Sequence, residues 1–481
     1  MPVAINKKSE SFLYQQVVSL IQQMKTEGTL KPGDKLPSLR NLSHKLNISI
    51  PTVKQAYIEL ERLGFITARP KSGYYLNAVL SELNQPRMSR LANRPVTVNC
   101  QTLIEEVYQV AHTPGMIPLG IANPASAYPS DKALGRLMRR AISRAGEKVN
   151  RYAPVLGYEE LRRQIAYRHL DFGLHLDPDH VLITNGAQEA LTIALQCVAK
   201  PGDVIAVESP AYFGLLELIE NLGMMALEIP ACSNTGLCLD DLQMALENND
   251  VTACMFSTAI NNPLGSYMND ERRQRMVEII ESFNVPLIED DVYGDLYFHG
   301  ERPKPASHWS TKGLVLTCSS FSKTASPSYR VGWLITEKFI NPAERFKRAM
   351  SCSCSLLNQW VMTDFISSGA YDRNVSQLRN VLRINKERMA SLMLKAFPEG
   401  TCISDPQGAS VFWVQFPTGL DTTKLFHAAA EKNISIAPGR IFSASKKFRN
   451  FARISYGEPW SERIEDAIAE LGKIAHDLLK N

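Results

Sequence analysis

Residues 319–332 read Ser-Ser-Phe-Ser-Lys-Thr-Ala-Ser-Pro-Ser-Tyr-Arg-Val-Gly. One lysine, Lys323, stands among small hydroxyl residues and apolar ones. No other charged side chain intervenes before Arg330. An amine can condense with an aldehyde, and the hydroxyls of Ser320 and Ser322 with the Arg330 guanidinium suit a phosphate. Together these groups fit pyridoxal phosphate (PLP), a phosphorylated aldehyde. A lone lysine is more often a solvated surface residue, and it is this setting that argues for a site.

The stretch follows a β-rich run, Leu314–Thr317. Similar runs lie at 180–184, 204–207, 254–257, 286–289 and 332–335, with helical stretches between them. Such alternation predicts an α/β fold with a largely parallel sheet covered by helices on both faces. Ligands in these folds sit at the C-terminal ends of strands. Polar motifs occur at those ends. Asn185-Gly186-Ala187-Gln188 follows one strand and opens a helix, where free amides and the helix dipole favour an anion. Tyr212 follows another and can stack on a flat ring. Asn262, in Asn261-Asn262-Pro263-Leu264-Gly265, is aimed by a turn. Glu289-Asp290-Asp291-Val292-Tyr293 closes an apolar strand with three acids, whose mutual repulsion a nearby cation relieves. A protonated pyridine nitrogen is one such cation. Taken singly, these are also the marks of an ordinary tight turn, a packed aromatic, a surface turn and a solvated acidic loop.

The N-terminus reads differently. Leu13, Val17, Leu20, Ile21 and Met24 recur at helical spacing over 11–27. Ser38 caps a second helix carrying Leu39, Leu42 and Leu46. Ser49 caps a third, with Pro51 in its first turn and Val53, Ala56, Tyr57, Leu60 and Leu63 on its inner face. Gly64 ends it, and residues 65–68 and 74–76 flank Pro70-Lys71-Ser72-Gly73 as a hairpin. Three helices and a hairpin predict a winged helix-turn-helix over residues 1–77, its third helix in the major groove of double-stranded DNA. Arg40, Lys54 and Lys71 occupy the faces left after the apolar stripes are removed. Ser38, Ser49 and Thr52 add hydroxyls for phosphates. A small helical interaction domain with solvated charges is the alternative.

Bulk properties agree with two unlike parts. The chain has 481 residues, enough for several domains. Residues 1–80 hold 11 Lys/Arg and 5 Asp/Glu, a net +6, which leaves −2 for the rest of a chain of net charge +4. Only the small part therefore invites a polyanion. No apolar run can span a bilayer, and the first residues lack the apolar core of a signal peptide, so a cytoplasmic protein without a membrane partner is expected. Nine cysteines lack CxxC pairing, and the close pair Cys352 and Cys354 has no histidine beside it. Buried free thiols are expected, with no metal. Residues 78–110, with Pro86 and Pro95 and no long apolar stripe, are expected to be a linker, and 111–481 the body.

The order of motifs in the body resembles the fold-type I, aspartate-aminotransferase-like PLP proteins, with a large and a small domain. The resemblance implies that Lys323 is the imine-forming, catalytic lysine, that Asp290 pairs with the pyridine nitrogen, and that Asn262 and Tyr293 bond the ring oxygen. It implies that Tyr212 stacks on the ring and that Gly186, Ala187, Gln188, Ser320, Ser322 and Arg330 bind phosphate. Arg453, in Phe451-Ala452-Arg453-Ile454-Ser455, matches the arginine that clamps a substrate carboxylate. Tyr152 matches a tyrosine reaching the partner subunit's phosphate, which implies a homodimer. Leu36–Leu42, Ser49–Tyr57 and Leu60–Ile66 resemble the GntR-type winged helix, although Ile50 and Lys54 stand where that family often has arginine. A GntR-type head on such a body resembles the MocR group of bacterial regulators. The implied function is PLP-dependent transcriptional regulation by an amino acid or amine effector, or by PLP itself. An active aminotransferase with an appended head is the alternative.

Overall fold

The computed structural model describes residues 12–62, 64–69, 72–77, 85–91, 94–99, 101–124 and 130–480, with backbone alone at 62, 69, 101 and 149. The head holds three helices, α1 (Leu13–Thr26), α2 (Leu39–Leu46) and α3 (Ile50–Arg62), then a hairpin of β1 (Ile66–Arg69) and β2 (Gly73–Leu76). Its core is the set of stripes read above, with Val17, Ile21, Leu42, Val53, Ala56, Tyr57 and Leu60 buried. Ser38 Oγ accepts the Asn41 N–H at 3.2 Å and Ser49 Oγ the Thr52 N–H at 3.3 Å. Each hydroxyl satisfies an amide that has no partner within its helix. The Tyr57 hydroxyl donates to the Pro37 carbonyl at 2.8 Å and ties α3 to the start of α2.

The body is built on a nine-stranded sheet. Its strands are β3 (Val96–Thr97), β5 (Val181–Thr184), β6 (Val204–Ser209), β7 (Met225–Cys232), β8 (Gly236–Leu237), β9 (Val251–Phe256), β10 (Leu287–Asp290), β11 (Val315–Ser320) and β12 (Gly332–Ile335). The order is β3-β7-β6-β9-β10-β11-β12-β5, with β8 on β7. Strands β7, β6, β9, β10 and β11 run parallel. Their residues are buried almost throughout, as expected where helices cover both faces. β12 runs antiparallel to both its neighbours. Residues 321–331 join it to β11, and so short a connection cannot make the crossover that a parallel pair needs.

A smaller antiparallel sheet follows the long helix Ala370–Ala396. Its strands are β13 (Cys402–Ile403), β14 (Val411–Gln415), β16 (Ala437–Pro438) and β17 (Phe451–Ser455), in the order β13-β14-β17-β16. Between them β15 (Ile434–Ser435) pairs in parallel with β4 (Ile117–Pro118), from the N-terminal end of the body. The expected large and small domains are both present.

Two expectations need correction. Part of the 78–110 stretch belongs to the body. β3 adds to the edge of the large sheet, and α4 (Gln101–Ala111) buries Ile104, Val107 and Ala111 at helical spacing. Ahead of them the Arg87 N–H donates to Gln415 Oε1 at 2.8 Å. Secondly, all eight described cysteines are free, but only Cys254, Cys318 and Cys354 are buried, and Cys352 is exposed.

Candidate functional site

A cavity of about 260 Å³ opens beyond the C-terminal ends of β5, β6, β10 and β11. Ala187, Gln188, Tyr212, Asn262, Asp290, Tyr293, Ser320, Ser322, Lys323, Arg330 and Arg453 all line it. These residues span some 270 positions of sequence, and the strand ends bring them together. Gly186 lies just beneath, against Arg330. Tyr152 does not join them; it is 88% exposed and stands apart from this cavity.

One end of the cavity is a cup of hydroxyls, amides and one guanidinium. Gly186 has φ +88° and caps the helix Ala187–Val198. A Cβ there would lie 2.9 Å from Arg330 Cζ, so the position has room only for glycine. Arg330 donates to the Asn185 carbonyl at 2.7 Å. The turn is held from behind by Glu189. Its carboxylate accepts from the Asn185 N–H at 2.5 Å, Ser351 Oγ at 2.6 Å and the fully buried Lys347 ammonium at 2.7 Å. Burial raises the Glu189 pKa, but Lys347, Ser351 and Asn185 outweigh it and hold the group below the usual carboxylate range.

At the floor, Lys323 Nζ donates to the Ala122 carbonyl at 2.8 Å. Desolvation, with the Arg453 charge nearby, brings its pKa down to about 8, against the pull of Asp290. A lysine with that pKa is partly neutral near physiological pH and can act as a nucleophile or a base. Desolvation pushes Asp290 up to about 6, opposed by the Val292 N–H and by Lys323. Behind it the buried Glu208 accepts the Ser257 N–H at 3.0 Å, and burial raises its pKa to about 8. At pH 7 Asp290 is therefore the ionised acid of this pair. The Tyr293 hydroxyl donates to the Ala122 carbonyl at 3.3 Å, and burial raises its pKa.

At the other end lies Arg453, 2% exposed on β17. It donates to Asn262 Oδ1 at 3.0 Å and to the Gly120 carbonyl at 2.7 Å. Phe213 and Phe442 lie 5.3 and 5.0 Å from its Cζ. Its Nε has no hydrogen-bond partner, and no described carboxylate lies within ion-pair reach. A buried cation without a counter-ion is costly, so the site is built for an anion. The residues thus fit a PLP-like group: an amine for the aldehyde, a cup for the phosphate, an acid for the ring nitrogen and a separate cation for a ligand carboxylate.

Sequence reading missed several cavity residues. Val107 and Tyr108, in the stretch assigned to the linker, form a wall on α4 with Ala111, the first residue assigned to the body. The Tyr108 ring packs edge-on against Phe213, with centroids 5.7 Å apart. Gly120 and Ala122 contribute carbonyls, a role that no side-chain pattern signals. The helical spacing of Ile104, Val107 and Ala111 was the one available clue.

On the head, Ser38, Arg40, Ser49 and Lys54 are exposed, while Thr52 is half-buried with its hydroxyl 2.8 Å from that of Ser49. These side chains cluster at the starts of α2 and α3. Lys71 lies outside the described residues. Ile50 is 43% exposed and offers methyl groups where a basic side chain would offer donors.

Comparison with known proteins bears on both parts. Residues 114–471 match the family described as aminotransferase class I and II, and residues 13–76 the bacterial regulatory proteins of the gntR family. The uncharacterized HTH-type transcriptional regulator YdcR of Escherichia coli (strain K12) is 34% identical over 97% of this chain and 99% of its own. A second from the same organism, YjiR, is 32% identical over 96% and 98%. Among solved structures, LysN, the α-aminoadipate aminotransferase of Thermus thermophilus complexed with N-(5'-phosphopyridoxyl)-L-leucine, superposes with a TM-score of 0.72. It is 25% identical over 79% of this chain and 96% of that one.

Proposed function

The chain belongs to the aminotransferase class I and II family and carries a head of the gntR family; from that premise we propose that it is a PLP-dependent, DNA-binding transcriptional regulator of the MocR type. The head reads DNA and the body binds an amino-compound effector. The observation that carries this reading is the meeting of Lys323, Asp290 and Arg330 in one cavity of a chain whose head folds as three helices and a hairpin. Bound PLP supplies an electrophilic carbon and an electron-withdrawing ring.

The chain's own residues do the rest. Lys323 presents a partly neutral amine and is placed to hold or release a proton at Nζ. Asp290 keeps the ring nitrogen charged. The cup of Gly186, Ala187, Gln188, Ser320, Ser322 and Arg330 would hold the phosphate, while Asn262 and Tyr293 would bond the ring oxygen and Tyr212 would stack on the ring. Arg453 takes the effector's carboxylate. An effector changes DNA affinity only by favouring one arrangement of heads and bodies over another.

We place the working molecule in the cytoplasm as a homodimer, with two heads on two half-sites. Tyr152 supports this: a large tyrosine left 88% exposed suits a contact in the partner's site. In the DNA complex, Ser38, Arg40, Ser49, Thr52, Lys54 and Lys71 meet the backbone and groove.

Two measurements on the purified chain test the proposal. PLP should produce a lysine-linked absorbance band, and the protein should bind duplex DNA with an affinity that changes when an amino compound shifts that band. A band with no DNA binding refutes the regulator. A second reading, a working aminotransferase, is favoured by the presence of both a proton-moving lysine and a free carboxylate clamp. Steady turnover of an amino donor with a keto acid would establish it.

A further inference from the structure

The effector class can be narrowed by counting charges in the cavity. Among the described residues its lining holds four charged groups: Lys323, Arg330, Asp290 and Arg453. On the reading above, three are committed to the aldehyde, the phosphate and the ring nitrogen. Only Arg453 remains, and its unpartnered Nε asks for one anion. Phe213 and Phe442, themselves 5.5 Å apart, lie together beside the guanidinium and shelter it with apolar surface. Residues 125–129, Ala-Ser-Ala-Tyr-Pro, lie outside the described set and bring no charge wherever they sit.

Most of the remaining wall is Val107, Tyr108, Ala111, Ile121, Leu191 and Phe213. Five of the six have no side-chain polar atom, and none carries a charge. Among the described residues of one protomer, a second carboxylate on the ligand finds no cation there, and a side-chain ammonium finds no acid. Either would be desolvated without compensation. A plain amine, for its part, leaves Arg453 buried and unpaired.

Resting on the proposed function, we infer that the effector is an amino acid with a single carboxylate and an uncharged, mainly apolar side chain, and not a dicarboxylate, a diamine or a simple amine. The test uses the full-length chain loaded with PLP and follows the cofactor absorbance. It is titrated with leucine and phenylalanine, aspartate and lysine, each as both enantiomers, and with isoamylamine and phenethylamine. Leucine or phenylalanine should bind at least about tenfold more tightly than aspartate, lysine or either amine. In Arg453→Met the advantage of phenylalanine over phenethylamine should vanish.

Tyr108→Arg, on a residue 40% exposed, offers a second variant should Arg453→Met fail to fold. Its new cation should improve aspartate binding about tenfold. Aspartate or phenethylamine binding as well as phenylalanine in the wild type, or no gain for aspartate in Tyr108→Arg, overturns the inference. A wild type that forms no lysine-linked band at all instead overturns the PLP reading beneath it.

Discussion

The Arg330 guanidinium occupies the space that a side chain at Gly186 would fill, and it donates to the carbonyl of the preceding residue, Asn185, at 2.7 Å. Sequence separates the two by 144 positions, yet each defines the other's geometry. Gly186→Ala must displace the guanidinium and also place an L-residue at φ +88°. It is expected to weaken PLP binding at least about tenfold, and to cost the cofactor-free protein about 1–3 kcal/mol of strain. Absorbance titration and chemical denaturation measure the two effects separately.

The Lys323 amine must be neutral to attack an aldehyde. With its pKa at about 8 in place of 10.5, uptake of PLP by the cofactor-free chain should accelerate as pH rises from 7 to 9, with a midpoint near 8, and level off above. Between about 8 and 10.5 the unfolded lysine holds a proton that the folded one has released. Stability should therefore rise with pH across that window. Lys323→Ala should abolish both the absorbance band and this rise, as stopped-flow spectra and urea midpoints at several pH values will show.

Glu189 touches the cup from behind, so its removal should be felt only by ligands that use the cup. Glu189→Ala leaves Lys347, fully buried, without its ion-pair partner, and is expected to cost about 3–5 kcal/mol of stability. Beyond that general loss, affinity for PLP should fall about tenfold while affinity for pyridoxal, which lacks the phosphate, stays within about twofold. Glu189→Gln, which keeps an acceptor for Asn185 and Ser351, should recover part of the difference. Equal losses for both ligands would show that Glu189 supports the fold and not the cup.

Exposed Lys54 on α3 is a candidate phosphate contact. Lys54→Ala should weaken binding to all duplexes by a similar factor of a few fold and reduce the slope of log affinity against log salt by about one. Fluorescence anisotropy over a range of potassium chloride concentrations provides that slope. A change confined to one DNA sequence would assign Lys54 to base reading.

Much of this molecule could be read before any coordinates. The head announced itself because its helices are short, capped by serines and apolar on one side only. The strand runs before Asn185, Lys323 and Asp290 were legible because a buried parallel strand is apolar on both faces. β7 was missed: its run carries Pro230 and a charged residue, Glu228. The structure shows why that charge is tolerated, since Glu228 is buried against Ser445 at 2.7 Å and Lys447 at 3.1 Å. The small sheet escaped because β13 and β16 have two residues each, too few for any period. The network of Glu189, Lys347 and Ser351 joins residues some 160 positions apart, and composition carries no trace of such a contact.

The early anchoring of the chain on the body has a geometric corollary for DNA. Asn77 closes the head, and by Gln85 the backbone is already fastened, its side chain accepting from Ser233 Oγ at 3.2 Å. The eight residue steps from Asn77 to Gln85 span at most about 28 Å, less than one turn of the double helix. In the proposed homodimer each reading head would thus stay within that reach of its own anchorage, and the separation of two recognition sequences would be bounded by the dimensions of the paired bodies.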